Sequence, residues 1–252
     1  MRFNINNLTN LVLERFPAVF DAYNAIECAF LRHKQVRDIF TSYYKYNKWL
    51  DPETRSGAGS NLQQTAVIRA ALPDLLRQYN IRTLVDLPCG DFYWMRMLDL
   101  DLDLYIGLDI VEGLVHHNQE HFGRKGREFR IFNAIEEVVP ACDLVFSRDM
   151  LVHFSNEHIL ATLHQVAKSQ ATYFLTTHFN APGMSNKDIA TGCWRPINLE
   201  KTPFNLPAPL LAFSEHCPEK APFANSKTMA LWTVESLRIA LKVPTPVIRV
   251  AV

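Results

Sequence analysis

The chain has 252 residues, of which 48% are hydrophobic, so it can bury a large core and fits one full domain with some decoration. Its 26 basic residues balance its 26 acidic ones, so the formal net charge is zero. A zero net charge excludes a strong overall electrostatic attraction to nucleic acid or to an anionic membrane. We therefore expect no nucleic-acid partner and favour a small or neutral substrate.

The cysteines are five in number, lie far apart and form no C-x-x-C pair: Cys28, Cys89, Cys142, Cys193 and Cys217. Pairs of that kind build zinc sites and redox centres, so their absence predicts free thiols in a reducing compartment. The N-terminal residues do not have the pattern of a signal peptide, and no apolar stretch is long enough to span a bilayer. We therefore expect a cytoplasmic protein without membrane insertion.

Apolar residues at helical spacing run from residue 10 to about residue 45. They predict a helical appendage over residues 1–45, followed by a main domain over residues 46–252. Pro52 and the SGAGS tract (residues 56–60) break the helical pattern, which resumes at LQQTAVIRAALPDLLRQYN. A glycine-containing loop therefore stands just before the next helix.

Beyond residue 80, short apolar runs alternate with helical segments that are expected near Met95, from Glu112 and from Asn156. The runs are TLVDL, LYIGLDI, FRIFNA, DLVFSRD and TYFLTTHF. This alternation predicts βαβ units, and so a doubly wound α/β fold with a mostly parallel sheet. A Pro- and Asn-rich insert then precedes PLLAFSEHC and MALWTV, which predict a closing antiparallel hairpin and a total of seven strands.

The strand TLVDL ends in DLPCGDFYW (residues 86–94), at the carboxyl end of the sheet, where open α/β folds bind their ligands. A tight turn there lets backbone N–H groups face a carboxylate or phosphate. The next strand ends in Asp109, about 20 residues further on, where nucleotide-binding folds grip a ribose diol. Both features fit any nucleotide-type cofactor, and acids that merely cap turns would also explain them.

The loop DLPCGDFYW resembles the D/E-x-G-x-G-x-G loop of class I S-adenosylmethionine (SAM)-dependent methyltransferases. Asp86 holds the acid position and Gly90 the middle glycine, while Pro88 and Phe92 take the outer places. Proline is tolerated because the turn needs no N–H there, and Phe92 is expected to tilt over the cofactor.

A narrower pattern, D-x-P-C-G-D-F-x-W, is similar to that of sugar O-methyltransferases of glycan assembly, including rhamnose-methylating domains. The resemblance runs from about Tyr46 to Trp232. Its further matches, in order, are SGAGSNLQQT, YIGLDIV, SRDMLVHFS, NKDI, WRPINL and PFNLPAPL.

The resemblance implies a Rossmann-like methyltransferase fold, SAM as cofactor and O-methylation of a sugar or glycan. Its cofactor-binding residues would be those of the first loop, the second and third strand ends, the fourth strand and the SGAGS tract: Asp86, Pro88, Cys89, Gly90, Asp91, Trp94, Asp109, Ile110, Asn133, Ala134, Arg148, Ser56, Gly57, Gly59 and Ser60. The tract could close over the methionine portion as a lid, with a flexible linker as the alternative. Asn133, where the wider family has an acid, could equally be a turn former.

Methyl transfer to a sugar hydroxyl is an in-line displacement that is assisted by a base. The fourth strand delivers Asp149 to the strand ends and His153 follows one helical turn later, so both are candidate catalytic residues. We expect Asp149 to orient the imidazole while His153 takes the proton, the alternative being a helix-capping Asp and a packed His. Acceptor binding is predicted for polar and aromatic residues of the insert: Asn186, Asp188, Trp194, Arg195 and Asn198.

Several alternatives stay open. His117 and His121 lie four residues apart but lack a completing ligand, so no metal is expected. The aromatic residues Tyr43, Tyr44, Tyr46 and Trp49 either pack the appendage onto the domain, which we favour, or line the cofactor mouth.

Other functions also compete. A methyltransferase with another small-molecule acceptor, a nicotinamide-dependent oxidoreductase and a non-enzymatic binding module are the competitors, although Pro88 and Phe92 are bulky for a pyrophosphate-binding loop. The sequence leaves open whether the appendage forms a homo-oligomer or contacts a partner such as a glycosyltransferase. It also leaves open which sugar and which hydroxyl are methylated.

Overall fold

A computed structural model describes residues 26, 28–215 and 226–246 of the chain. Its α-helices are α1 (Val36–Tyr46), α2 (Ala66–Gln78), α3 (Glu112–Phe122), α4 (Asn156–Lys168) and α5 (Val234–Leu241). Its strands are β1 (Thr83–Asp86), β2 (Leu104–Asp109), β3 (Arg127–Ile131), β4 (Leu144–Ser147), β5 (Tyr173–Phe179), β6 (Leu211–Ser214) and β7 (Lys227–Thr233). The prediction of an α-helix near Met95 is wrong, because Met95–Met97 form a single 3₁₀ turn.

The strands form one seven-stranded sheet in the order β3-β2-β1-β4-β5-β7-β6. The pairs among β1 to β5 are parallel, whereas β7 pairs antiparallel with both β5 and β6. This arrangement confirms the predicted α/β class, the strand count and the closing antiparallel pair. The chain runs outward from β1 to β3 and then restarts beside β1 with β4, which leaves a crevice above the β1–β4 boundary.

Both faces of the sheet are covered, which explains why its central strands are continuous apolar runs. Leu84 and Val85 of β1 and Leu144 of β4 are fully buried. One core cluster contains the apolar stripes of α4 and α5, and the other contains those of α2 and α3. In α2 the stripe is Ile68, Leu72, Leu75 and Leu76, the spacing of one helix face.

Helix α1 packs against the insert that follows β5. Its buried residues Ile39 and Tyr43 form a small cluster with Leu31 and Ala190. Most of the predicted appendage, residues 1–25 and residue 27, lies outside the described residues. The boundary at residue 45 stays a prediction, and α1 runs across it.

The prediction of five free thiols is wrong. Cys28 and Cys193 form a disulfide, with their Cα atoms 6.0 Å apart, because α1 and the helical residues before it bring these distant residues together. Cys89 and Cys142 are buried free thiols, and Cys217 lies outside the described residues. In the described ranges no helix is long and apolar enough to cross a bilayer.

Candidate active site

A cavity of about 810 Å³ opens at the carboxyl ends of β1, β2 and β4. Every residue that the sequence assigns to the cofactor lines this cavity, from Ser56 in the SGAGS tract to Arg148 after β4. Both catalytic candidates, Asp149 and His153, line it as well. The fold therefore brings together residues that are almost 100 positions apart in the chain, at the point where strand order reverses.

The loop after β1 is fixed by backbone contacts with β2. Cys89 donates its N–H to the Leu108 carbonyl at 2.9 Å, and Gly90 donates to Asp109 Oδ2 at 3.2 Å. Gly90 has φ +52°, and a Cβ there would lie 2.3 Å from Ser56 Oγ. Only glycine fits this point, where the loop meets the SGAGS tract.

Phe92 does not tilt over the cavity, so that expectation is wrong. Its φ is +57° and its side chain is only 2% exposed. The ring packs in the core against Tyr105 and Phe129, at centroid distances of 5.2 and 5.1 Å. The left-handed backbone conformation directs the side chain beneath the loop rather than over it.

Asp91 anchors the SGAGS tract to the β1 loop. Its carboxylate accepts hydrogen bonds from Thr54 Oγ1 at 2.8 Å, from the Arg55 N–H at 2.8 Å and from Ser56 Oγ at 3.0 Å. At the other end of the tract, the Gly59 carbonyl accepts a bond of 2.5 Å from Arg148 Nη1. The tract thus bridges the ends of β1 and β4, and its role as a lid stays a prediction.

Two buried carboxyl groups stand at the ends of β1 and β2. Asp109 Oδ1 accepts the Val111 N–H at 3.0 Å, and burial raises its pKa to about 6 against these backbone bonds. Burial also raises the pKa of Asp86 to about 7, although Tyr105 Oη donates to Asp86 Oδ2 at 2.5 Å. Asn133 forms a turn, since its Oδ1 accepts the Ile135 N–H at 3.2 Å, and Asn133 lines the cavity too.

Replacing Asp86 with asparagine is expected to weaken the pH dependence of stability. The folded pKa of Asp86 is above its ordinary value, so its stabilising contribution is present below about pH 4 and is lost as pH rises to about 7. An amide has no such loss. Thermal melts should therefore show the difference in Tm, Asp86→Asn minus wild type, rising between about pH 4 and pH 7. Exposed Asp99→Asn is the control, and an Asp86→Asn difference that rises no more than the control's would contradict this assignment.

A network of four charged side chains forms the β4 end of the cavity. Arg148 Nε lies 2.7 Å from Glu215 Oε1, and Lys227 Nζ lies 2.7 Å from Asp149 Oδ2 and 3.3 Å from Glu215 Oε2. Arg148 Nη1 is 3.2 Å from the same Asp149 oxygen. Sequence reasoning missed Lys227 and Glu215, because no spacing or motif marks them in the β6–β7 region.

The expected pairing of Asp149 with His153 is absent from the described part of the chain, where no hydrogen bond joins the two side chains. Burial favours the neutral form of Asp149, but Lys227 and Arg148 outweigh it and hold its pKa below the ordinary value. Asp149 also accepts a bond from Thr177 Oγ1 at 3.2 Å. Asp149 is therefore an ionised partner of cations and a poor proton acceptor.

His153 is oriented by a backbone carbonyl instead. Its Nδ1 lies 3.0 Å from the Cys193 oxygen, so Nδ1 carries the proton and Nε2 the lone pair. Burial lowers the pKa of His153, which keeps the ring neutral near pH 7. The ring lines the cavity 5.8 Å from the ring of Trp49. A general base needs a neutral ring with an unprotonated nitrogen of this kind.

Of the five residues predicted to bind the acceptor, only Trp194 is among the described residues that line the cavity. It is 52% exposed and meets Phe179 edge-on, with centroids 6.2 Å apart. The others hold the insert. The Asn186 side chain bonds both the N–H and the carbonyl of Asn198, whose own Nδ2 donates to the Phe179 carbonyl at 3.0 Å. Asp188 accepts the Asn156 N–H at 2.7 Å, and Arg195 Nε donates to the Lys187 carbonyl at 2.8 Å. These polar side chains form hydrogen bonds with backbone groups that no strand or helix ladder satisfies.

The aromatic residues after α1 divide between the two roles considered for them. Tyr44 and Trp49 line the cavity, Tyr43 is buried beneath them and Tyr46 is exposed. Phe40 of α1 and Phe154 line the cavity too, although neither stood out in the sequence.

Neither a protein-family model nor a curated protein matches the sequence. Solved structures match in fold. Magnesium protoporphyrin IX methyltransferase from Synechocystis, with bound S-adenosylhomocysteine (SAH), matches with TM-score 0.52 and 14% identity over 79% of this chain and 97% of that one. A SAM-dependent methyltransferase from Anabaena variabilis gives 0.52 and 13%, over 79% and 95%. The chain has the fold of class I SAM-dependent methyltransferases.

A third match shows how widely this methyltransferase fold is shared. Phosphoethanolamine N-methyltransferase from Haemonchus contortus, in complex with phosphoethanolamine and SAH, gives TM-score 0.51 and 15% identity. The match covers 81% of this chain and about half, 53%, of that one. At such identities the likeness concerns the fold, and the site must be argued from its own residues.

Among the described residues, no group of three or more His, Cys, Asp or Glu side chains is placed to hold a metal ion. His117 and His121 stack with centroids 4.1 Å apart on the exposed face of α3.

Proposed function

We propose that this protein transfers a methyl group from SAM to a hydroxyl group of a sugar or glycan, with His153 as general base. The observation that supports this most is the shared cavity, which joins the residues assigned to the cofactor with an imidazole whose accepting nitrogen is unprotonated. The volume of about 810 Å³ falls in the range of about 300–1,000 Å³ typical of small-molecule sites.

The residues at the ends of β1 and β2 fit a cationic nucleoside. Bound SAM would supply its sulfonium methyl group as the electrophile. Asp86, Pro88 and Gly90 would hold the amino-acid part, where a buried carboxyl group suits a positively charged ligand. Asp109 would hold the ribose, because each carboxylate oxygen can accept a further bond beyond the one from the backbone.

His153 would assist by taking the proton of the acceptor hydroxyl on Nε2 as the hydroxyl oxygen attacks. Its Nδ1–H stays bonded to the Cys193 carbonyl, which keeps the ring in place while it becomes charged. The nearby Asp149 carboxylate favours that charge, as the direction of its effect on the pKa of His153 shows. A base of this kind typically contributes about 10²–10⁴-fold.

The far side of the cavity suits a neutral ring. The four charges of the network pair with one another, so they leave no net charge to attract an ionic acceptor. Tyr44, Trp49 and Trp194 provide aromatic surfaces, against which the apolar C–H face of a sugar can pack. These features support a sugar acceptor, and screening candidate glycans with SAM for a methyl mass gain tests it. Methylation of other small molecules but of no sugar would refute that part.

Isothermal titration with SAH is expected to show saturable binding that Asp109→Asn weakens about 10–100-fold. The loss corresponds to hydrogen bonds to a charged group, about 1.5–3 kcal/mol. The matched control is Asp103→Asn, an exposed carboxyl group that pairs with Arg82 at the opposite end of β2. No binding heat from the wild-type protein at millimolar SAH would end the proposal.

A further inference from the structure

The turn formed by residues 190–195 is bonded directly to the segment that carries His153. Gly192 donates its N–H to the His153 carbonyl at 2.8 Å, and Arg195 donates to the Val152 carbonyl at 3.0 Å. The Cys193 carbonyl accepts from His153 Nδ1 at 3.0 Å. Both the backbone and the imidazole of His153 therefore take their position from this turn.

Helix α1 holds the same turn. Tyr43 Oη donates to the Gly192 carbonyl at 3.2 Å, in a buried contact. Gly192 has φ +102°, and a Cβ there would lie 2.9 Å from Ile39 and 3.1 Å from Leu31 and from the Tyr43 oxygen. The turn lies so close to α1 that it has no room for a side chain at this residue.

We propose that Tyr43 is a positioning residue for the general base, acting through the successive carbonyl groups of Gly192 and Cys193. The hydroxyl group of Tyr43 fixes the first carbonyl, and the second fixes the imidazole of His153. The inference rests on the proposed function, in which His153 takes a proton. It gives α1 a part in catalysis without contact to the reacting atoms.

The positioning matters because only one neutral form of the ring can act as base. With the proton on Nδ1, Nε2 can accept a proton, whereas with the proton on Nε2 it cannot. The charged groups that act on the ring are Asp149 after β4, Lys227 on β7 and Arg195 in the insert, and none of them bonds to Nδ1 in the described residues. The Cys193 carbonyl therefore selects the form of the ring.

Nitrogen NMR of the histidine rings tests this selection without knowledge of the acceptor. The full chain is labelled with ¹⁵N-histidine, and His153→Gln identifies the His153 signals. We expect wild-type His153 to show a protonated Nδ1 and Tyr43→Phe to move these signals toward the mixed forms of a free imidazole. The samples are compared with the Cys28–Cys193 bond reduced, so that it cannot hold the turn in place of the hydroxyl group.

Two control variants separate the hydroxyl group from packing. Tyr79→Phe removes a hydroxyl group at a distant site, where the Tyr79 ring meets Tyr173, and should leave the His153 signals unchanged. Ile39→Val removes the Cδ1 methyl group of a buried α1 residue beside the turn but keeps the Tyr43 hydroxyl group and the Cγ2 atom that faces Gly192, so it should lower Tm without moving them.

Three results would overturn the inference: a wild-type ring protonated on Nε2, unchanged signals in Tyr43→Phe, or an equal shift in Ile39→Val. SAH titration of the same samples keeps the proposed function separate. Absent SAH binding would refute the proposed function whatever the ring's form, and normal SAH binding with unchanged Tyr43→Phe signals would refute the positioning role alone.

Discussion

Turnover of methyl transfer is expected to fall about 10²–10⁴-fold when His153 is replaced by glutamine. Glutamine can still donate a hydrogen bond to the Cys193 carbonyl, but it cannot take a proton from the acceptor. The measurement is kcat with an acceptor found by the glycan screen. The Kd for SAH should be nearly unchanged, because in the proposed function His153 acts on the acceptor and does not hold the cofactor.

The pH profile of kcat at saturating SAM and acceptor, where the cofactor site is filled, tests His153 in the wild-type enzyme. Since burial lowers the pKa of His153, kcat should persist below pH 6.5, near the ordinary pKa, and fall only as the pH drops through the lower folded value. The control is His116→Gln, the same substitution on the exposed face of α3. Wild-type turnover in His153→Gln would assign proton removal to another group or to solvent.

Arg148→Met is expected to lower the free energy of unfolding by about 3–5 kcal/mol, because it removes one of the two cations that lie beside the buried Glu215 carboxylate. Glu215 is 1% exposed, and in the variant it would keep Lys227 as its cationic neighbour at 3.3 Å. Asp149 would also lose a contact of 3.2 Å. Urea denaturation followed by circular dichroism measures the change.

The double variant Arg148→Met/Glu215→Leu provides the matched comparison. It removes one cation and one anion and leaves Lys227 paired with Asp149 at 2.7 Å. Replacing both members of a buried pair by apolar residues is often neutral, so the double variant should recover most of the lost stability. If both variants unfold at the same urea concentration, charge compensation is not what the pair contributes.

The fold was predictable because its signals are local and repeated. Apolar runs such as LYIGLDI alternate with helix-period segments, and parallel strands covered on both faces must be apolar throughout. Because the carboxyl ends of parallel strands meet at one edge, the sequence alone places Asp86, Asp109 and Asp149 near one another, and all three line the cavity.

Features that depend on tertiary contacts were not predictable. The Phe92 side chain points into the core because its backbone is in the left-handed region, and the residue types around it do not predict that conformation. Asp149 binds Lys227 rather than His153, since β7 returns beside β5 from the far end of the chain. The partner of His153 is a carbonyl group, and a backbone atom has no sequence signature.

The disulfide between Cys28 and Cys193 changes what unfolding means for this chain. Its ends are 165 residues apart, so β1 to β5 with α1 to α4 all belong to one covalent ring. An oxidised chain that loses its fold is a closed loop with tails, which has fewer conformations than an open coil. In the chain-entropy account, a ring of this size is worth about 5 kcal/mol, so thiol reduction alone would decide much of the protein's resistance to denaturants.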